Sequence, residues 1–249
     1  MIDMFLRRIL LVLIVAVTVA APADARRKKK KMTPPPPVPE AWPEEVPDYD
    51  VELPAEEVIK TEFTAVPLTD DQIIQSLVSQ PIMGAAEIDA DALSLFVARR
   101  NPDFDPAIAR AYLAVGEKYG IRGDIALCQS ILETGWFRFA DGTAVTPDQH
   151  NYCGLGVTRR GMRGQSFDTI EQGVTAQIQH LYAYACADPI PGGETLLDPR
   201  FKLVARGVAP TWADLAGRWA ANDRYAHSIM RLYMELRRFS SSLNNRYEK

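Results

Sequence analysis

From Leu68 to Phe239 apolar residues recur every three to four positions, the period of an amphipathic helix. Thr69 or Asp70 caps a first helix that runs through Leu77, and a second is predicted from Ala90 to Arg100, stopped by Asn101-Pro102. Asp105 followed by Pro106 reads as an N-cap with proline in the first turn. Ile108, Tyr112, Val115 and Tyr119 then share a face, and Gly120 ends the run. The next helix, Asp124 to Thr134, turns Ile125, Cys128 and Leu132 inward and sets Glu133 beside that stripe, near the helix end. Thr169-Ile170-Glu171-Gln172 has the form of a capping box, opening a helix with Val174, Ile178, Leu181 and Ala185 as its stripe. Thr211-Trp212-Ala213-Asp214 opens another, and the last begins near Tyr225 with Ile229, Leu232, Leu236 and Phe239 facing in.

Between Asn151 and Phe167 the helical period is lost. Gly154, Gly156, Gly161 and Gly164 punctuate short segments containing Val157, Met162 and Phe167, which predicts a small β-hairpin or irregular lobe turning at Arg159-Arg160-Gly161. The expected fold class is mainly α: a helical domain over residues 67–240 with a small β-hairpin lobe flanking a cleft, and a flexible tail over 241–249. A cleft between the lobe and Glu133 suits an elongated polymer.

The first 66 residues read differently. Arg7 and Arg8 precede an apolar stretch from Ile9 to Ala21 that falls short of the ~20 residues a bilayer core needs. Small residues at Ala21, Ala23 and Ala25 offer cleavage positions, so 1–25 reads as a signal peptide and the protein as exported to the cell envelope. The basic run Arg26 to Lys31 opposes translocation, which leaves a membrane-tethered form open. Residues 26–66 are a linker, basic first, then Pro34 to Pro37, then Glu44, Glu45, Asp48, Asp50, Glu52, Glu56 and Glu57 among prolines; this composition buries no core.

A net charge of −4 provides no global attraction for nucleic acid. The chain has 3 cysteines, Cys128, Cys153 and Cys186, so at most one internal disulfide forms and a disulfide framework is excluded. His150, Cys153 and Cys128 match no zinc spacing, and no phosphate loop or dinucleotide fingerprint occurs; no metal or cofactor is expected.

The chemistry concentrates at Glu133. It stands at a helix C-terminus, against the negative end of the dipole, and Gly135, Trp136, Phe137 and Phe139 follow at once. Both the dipole and the rings, which strip away water, disfavour the charged carboxylate and raise its pKa. A carboxylic acid still protonated near neutral pH is what protonates a glycosidic oxygen. The bland alternative is a solvated carboxylate at a helix end, which has no use for those aromatics. Trp136 and Phe139 are candidate sugar-stacking rings, against the alternative that they are core. Asn151 either fixes a loop or binds an acetamido group. Gln177 and His180 lie one turn apart on one helix face and are candidate substrate contacts, with a structural histidine as the alternative. Arg159, Arg160 and Arg163 form a small basic flap.

Several fragments in order resemble one family. They are Pro81-Ile82-Met83-Gly84, Gly120 to Ala126, Glu133-Thr134-Gly135-Trp136, Asn151-Tyr152-Cys153-Gly154-Leu155-Gly156, Ser166-Phe167 through Leu181, Asp198-Pro199-Arg200-Phe201, Trp212 to Trp219, and Tyr225-Ala226. Over about residues 75–239 the chain resembles the bacterial glucosaminidase domain, the mannosyl-glycoprotein endo-β-N-acetylglucosaminidase-like domain of glycoside hydrolase family 73. The resemblance implies a lysozyme-like fold and hydrolysis of peptidoglycan at the β-1,4 bond after N-acetylglucosamine. It implies Glu133 as the general acid and Tyr225 as a catalytic tyrosine. Its second carboxylate is variable and comes from the lobe; the candidates are Asp168 and Glu171, then Asp148 and Asp141. A separation of roughly 6.5–9.5 Å from Glu133 would suit inversion and about 5 Å retention, while attack by the substrate's own 2-acetamido group needs no carboxylate nucleophile. His150 stands where the family usually shows a second Asn, and the loop from Ala140 to Pro147 is slightly long. The expected partner is the peptidoglycan glycan strand, bound by a monomer. A lytic transglycosylase, a non-catalytic glycan-binding module and a stem-peptide amidase are the competing readings; the last lacks metal ligands or an activated nucleophile.

Overall fold

The computed structural model describes residues 67–140, 143–159 and 162–247. The expectations for a signal peptide and linker over 1–66, for Asp141, and for the turn at Arg160-Gly161 lie outside the described residues. Six α-helices make up the domain: α1 Asp70–Val78, α2 Ala90–Ala98, α3 Pro106–Tyr119, α4 Gly123–Thr134, α5 Ile170–Ala185 and α6 Tyr225–Tyr247. The fold is mainly α, as its periodicity predicts.

Local chemistry sets the boundaries. Thr69 and Gln72 form a reciprocal capping box at α1, and Asp105 accepts from the Ala107 N–H at α3 with Pro106 behind it. Gly120 closes α3 and Gly135 closes α4, both in the left-handed conformation. At α5 the Thr169 hydroxyl accepts from the Gln172 N–H at 3.2 Å, but the Gln172 side chain accepts from Asp168 N–H at 2.9 Å, one residue outside the expected box.

The helix α4 lies between α3 and α6, and α5 packs on α3. Every residue from Gly123 to Ile131 is buried, so α4 has no solvent face. The predicted stripe of Ile125, Cys128 and Leu132 describes only one side of it, and Leu132 is partly exposed. Ile125, Leu127 and Ile131 are at most 1% exposed, each contributing roughly 1.5–3 kcal/mol by burial. Polar residues on this helix must therefore find partners inside the protein. At its start the Arg122 guanidinium forks onto the Asp124 carboxylate at 3.0 and 2.9 Å and reaches Glu87 at 3.0 Å. Tyr233 of α6 joins the same cluster, donating to Glu87 at 2.8 Å.

Three expectations are corrected. The lobe is not a β-hairpin: among the described residues from 143 to 169 there is no strand, only a short 3₁₀ turn at Pro147–Gln149. Its arms share two backbone bonds, Gln165 N–H to Leu155 O at 2.8 Å and Phe167 N–H to Gln149 O at 2.9 Å, and side-chain amides make the remaining links in place of a continuous ladder. The Asn151 amide donates to the carbonyls of Leu155 at 2.9 Å and Gln165 at 3.0 Å and accepts from the Leu155 N–H at 2.9 Å. The Gln149 amide donates to Gly164 O at 3.0 Å, and left-handed Gly154 and Gly156 break any extended run. Second, Thr211 to Asp214 opens no helix. The Asp214 carboxylate accepts from the Thr211 N–H and hydroxyl, closing a single 3₁₀ turn at Ala213–Leu215. Third, α6 continues to Tyr247, past the domain end expected at residue 240.

Candidate active site

Four elements converge on the Glu133 carboxyl. Glu133 is the penultimate residue of α4, and its side chain is only partly exposed. Tyr225, the first residue of α6, donates its hydroxyl hydrogen to Glu133 Oε1. Trp219, from the loop before α6, lies close enough to the carboxyl to favour its charged form. The Cys153 thiol, from the lobe, lies close enough for the Glu133 charge to act on it. Burial raises the Glu133 pKa above its ordinary value of 4.5, and the bond from Tyr225, with Trp219 nearby, pulls part of the way back. The direction agrees with the sequence reading, with burial as the larger cause. Burial also pushes Tyr225 and Cys153 well above their ordinary values, so both stay neutral beside the acid.

The turn after α4 is strained and clamped. Trp136, Phe137 and Phe139 have φ values of 64°, 56° and 50°, in the left-handed region that non-glycine residues seldom adopt. Asn101 donates to the carbonyls of Trp136 at 3.0 Å and Phe137 at 3.3 Å, and the Thr134 hydroxyl accepts from the Phe137 N–H at 2.8 Å. The Phe137 ring packs between Phe104 and Tyr152, at centroid distances of 4.9 and 5.7 Å. Such strain persists only where surrounding contacts enforce it, and it clusters at functional sites.

The remaining predicted residues divide. Phe139 is partly exposed and packs against Tyr152 of the lobe, 6.4 Å between ring centroids. Trp136 turns to a separate groove of about 760 Å³ with Phe96, Arg100 and Phe239, where the Arg100 guanidinium covers its ring at 4.6 Å. Asn151 is 1% exposed with both ends of its amide used within the lobe, the loop-fixing role. Gln177 is fully buried, so its reading as a substrate contact is corrected: its amide bonds Gln129, Tyr112 and Ser130. His180 is also buried, its Nδ1 2.7 Å from Asp198 Oδ2 and its ring edge-on to Trp219 at 4.9 Å. It supports Trp219 and bonds neither Glu133 nor Tyr225.

Asp168 and Glu171 are exposed at the entry to α5, and Asp148 pairs with Arg163 at 3.2 Å. None of the three is hydrogen-bonded to Glu133 or Tyr225. Among the described residues no three metal-ligating side chains cluster, and all three cysteines are free thiols. Sequence reasoning missed Gln129, Trp219 and Cys153 as neighbours of the acid. Gln129 carried a usable signal, because it lies one turn before Glu133 on the same helix face. Trp219 and Cys153 reach the site only through the fold.

A helical domain with one desolvated carboxylic acid, clamped by a tyrosine beside an irregular lobe, is an arrangement of the glycoside hydrolase class. Residues 109–238, from α3 into α6, match the model of a family described as mannosyl-glycoprotein endo-beta-N-acetylglucosaminidase. An uncharacterized protein of Borreliella burgdorferi is 37% identical over 146 residues, which cover 57% of this chain and 70% of that protein. The chain belongs to this glucosaminidase family.

Proposed function

We propose that the domain hydrolyses peptidoglycan glycan strands at the β-1,4 bond following N-acetylglucosamine, with Glu133 as the general acid. The observation that carries this reading is the Glu133 carboxyl itself: partly buried, raised in pKa by burial, and held by Tyr225. A structural carboxylate would gain from a cation, and among the described residues no Lys, Arg or His contributes to the Glu133 environment.

In the proposed reaction Glu133 gives its proton to the glycosidic oxygen as the bond to the anomeric carbon breaks. Tyr225 then stabilises the carboxylate left behind by donating to Oε1. Water adds to the anomeric carbon and its proton returns to the protein. Asp168 is the proposed second carboxylate, exposed on the lobe side of α5; the substrate's acetamido group is the alternative. The apolar stretch Ile9 to Ala21 behind Arg7 and Arg8 supports export to the envelope, where this polymer lies.

The test is digestion of purified peptidoglycan with the wild-type chain and Glu133→Gln, followed by borohydride reduction and mass spectrometry of the new ends. Reduced N-acetylglucosamine ends from wild type alone are expected. Anhydromuramyl ends would make the protein a lytic transglycosylase. Glycan binding without cleavage by either protein would overturn the enzymatic reading.

A further inference from the structure

We propose that Gln129, itself oriented by Gln177, is a positioning residue that determines which oxygen of Glu133 carries the catalytic proton. The inference rests on Glu133 acting as the acid, as proposed above. It comes from the polarity of a buried hydrogen-bond chain that joins α5 to the site through α4.

The chain starts at a group with only one possible role. The Ala126 carbonyl can only accept, and the Gln177 amide nitrogen faces it at 3.4 Å. On the other side, Gln177 Oε1 lies 2.6 Å from the Tyr112 hydroxyl and 2.8 Å from the Ser130 hydroxyl; those two oxygens are 2.6 Å apart, so one hydroxyl donates to the other, which in turn donates to Oε1. Reversing the Gln177 amide would set its carbonyl oxygen against the Ala126 carbonyl. Gln129, Ser130, Tyr112 and Gln177 are all fully buried, so no bulk water relieves that clash. Gln177 therefore donates through Nε2 to Gln129 Oε1 at 2.9 Å. That leaves Gln129 Nε2 as the donor to the Tyr225 hydroxyl oxygen at 2.9 Å. Tyr225, already receiving a hydrogen from Gln129, sends its own to Glu133 Oε1.

The consequence falls on the acid. A proton on Oε1 would point at the hydroxyl hydrogen of Tyr225. Protonated Glu133 thus carries its proton on Oε2, the oxygen that Tyr225 does not hold. Reprotonation after each turnover returns to the same atom. Gln129 never touches substrate; it acts by denying Tyr225 the choice of accepting from Glu133.

Among the described residues the groups around Glu133 are few: Tyr225 from α6, Trp219 from the preceding loop, Cys153 from the lobe and, behind Tyr225, Gln129 on its own helix. Of these only Tyr225 and Cys153 titrate, and burial keeps both neutral across the working range. A change in Glu133 titration on altering Gln129 therefore reports the amide's effect on the tyrosine.

Gln129→Met keeps the length of the side chain and removes both polar atoms. It lets protonated Glu133 adopt a second arrangement, with the proton on Oε1 donated to the tyrosine oxygen. The protonated form gains, so the Glu133 pKa rises, and the alkaline limb of the kcat/KM profile moves to higher pH. The turnover number falls by about tenfold, the worth of one well-placed hydrogen bond. The direct readout is a carboxyl-carbon NMR titration of the full chain, with the Glu133 signal assigned by its loss in Glu133→Gln. A double-mutant cycle with Tyr225→Phe completes the test. With the tyrosine hydroxyl gone, Gln129→Met should shift Glu133 no further. If Gln129→Met does not fold, Gln177→Met, which frees the Gln129 amide to rotate, should shift Glu133 in the same direction by less. An unchanged Glu133 titration in a folded Gln129 or Gln177 variant, or a shift that persists without the tyrosine hydroxyl, overturns the proposal. Wild type that cleaves no glycan would refute the enzymatic reading instead, and the titration would still decide whether Gln129 governs the Glu133–Tyr225 bond.

Discussion

Gly173 is where the lobe leans on the helical body, and adding one methyl group there tests whether that contact matters. A Cβ at Gly173 would lie 1.8 Å from the His150 carbonyl oxygen and 2.9 Å from its carbon. Restoring ordinary contact requires the carbonyl to retreat by about 1.5 Å. His150 is poorly placed to comply. It already has a φ of 47°, and its ring Nδ1 sits 2.9 Å from the Phe167 carbonyl across the lobe. Two effects oppose each other in Gly173→Ala. Alanine in a helix gains about 1 kcal/mol over glycine. Overpacking against backbone costs about 3 kcal/mol, the upper part of its usual range, because no flexible side chain can yield. The net loss of about 2 kcal/mol corresponds to a fall in Tm of roughly 4–8 °C for a domain of this size. Differential scanning calorimetry measures it, and amide exchange should show faster opening of residues 149–167 than of α3 and α4. Glycan cleavage should fall as well, since the lobe carries Cys153 to the face of Glu133. A Tm equal to or above wild type would refute the reasoning, because helix propensity would then have won and the His150 contact would have no weight.

Glu133→Gln should stabilise the protein in a pH-dependent way. The folded-state pKa of Glu133 is raised above 4.5, so the folded state holds the extra proton and wild-type stability falls as pH rises from 4.5 through the folded value. The variant's Tm advantage should be absent below that window and full above it; a constant advantage would mean that the carboxyl is unperturbed. Asp198→Ala should cost about 3 kcal/mol, read from the urea midpoint, because it strips buried His180 of its partner and the Arg200 N–H of its acceptor. Asn101→Ala should cost about 1–2 kcal/mol in the same assay, because the Trp136 and Phe137 carbonyls in the left-handed turn lose their donor. Loss of less than about 0.5 kcal/mol there would show that the turn holds itself.

The helices were legible because their signals are local. Thr69, Asp105-Pro106 and Gly120 act on backbone groups within four residues, and the structure uses each of them as the sequence suggests. Glu133 was legible for a related reason: helix end, glycine and aromatics are contiguous. The lobe was not. Glycines at short spacing and apolar residues between them are compatible with a hairpin, and nothing in the pattern reveals that the Asn151 amide would bridge Leu155 and Gln165 beside their single backbone bond, with no ladder continuing from it. Gln177 and His180, polar and one turn apart on one helix face, suggest substrate contacts, with a structural histidine as the alternative. Both are buried, Gln177 by α4 and His180 by Asp198 and Trp219, partners that only the folded chain supplies.

The weak amphipathic contrast of α4 follows from its position. A helix buried all round shows no polar face, so its polar residues stand out only as interruptions, among them Asp124, Gln129, Ser130 and Glu133. Three of these are satisfied by fixed partners. Asp124 has the Arg122 fork, Ser130 has Tyr112 and Gln177, and Gln129 is bonded at both ends. Glu133 is the exception, with one oxygen held by Tyr225, Trp219 close by, and no cation among the described residues to balance its charge. Burying a carboxylate that way costs stability where it is ionised, and the same cost favours its protonated form. In the proposed mechanism a new ion pair at Glu133 would lower its pKa and weaken its capacity to donate, so the incompleteness of its surroundings is what that mechanism asks of α4.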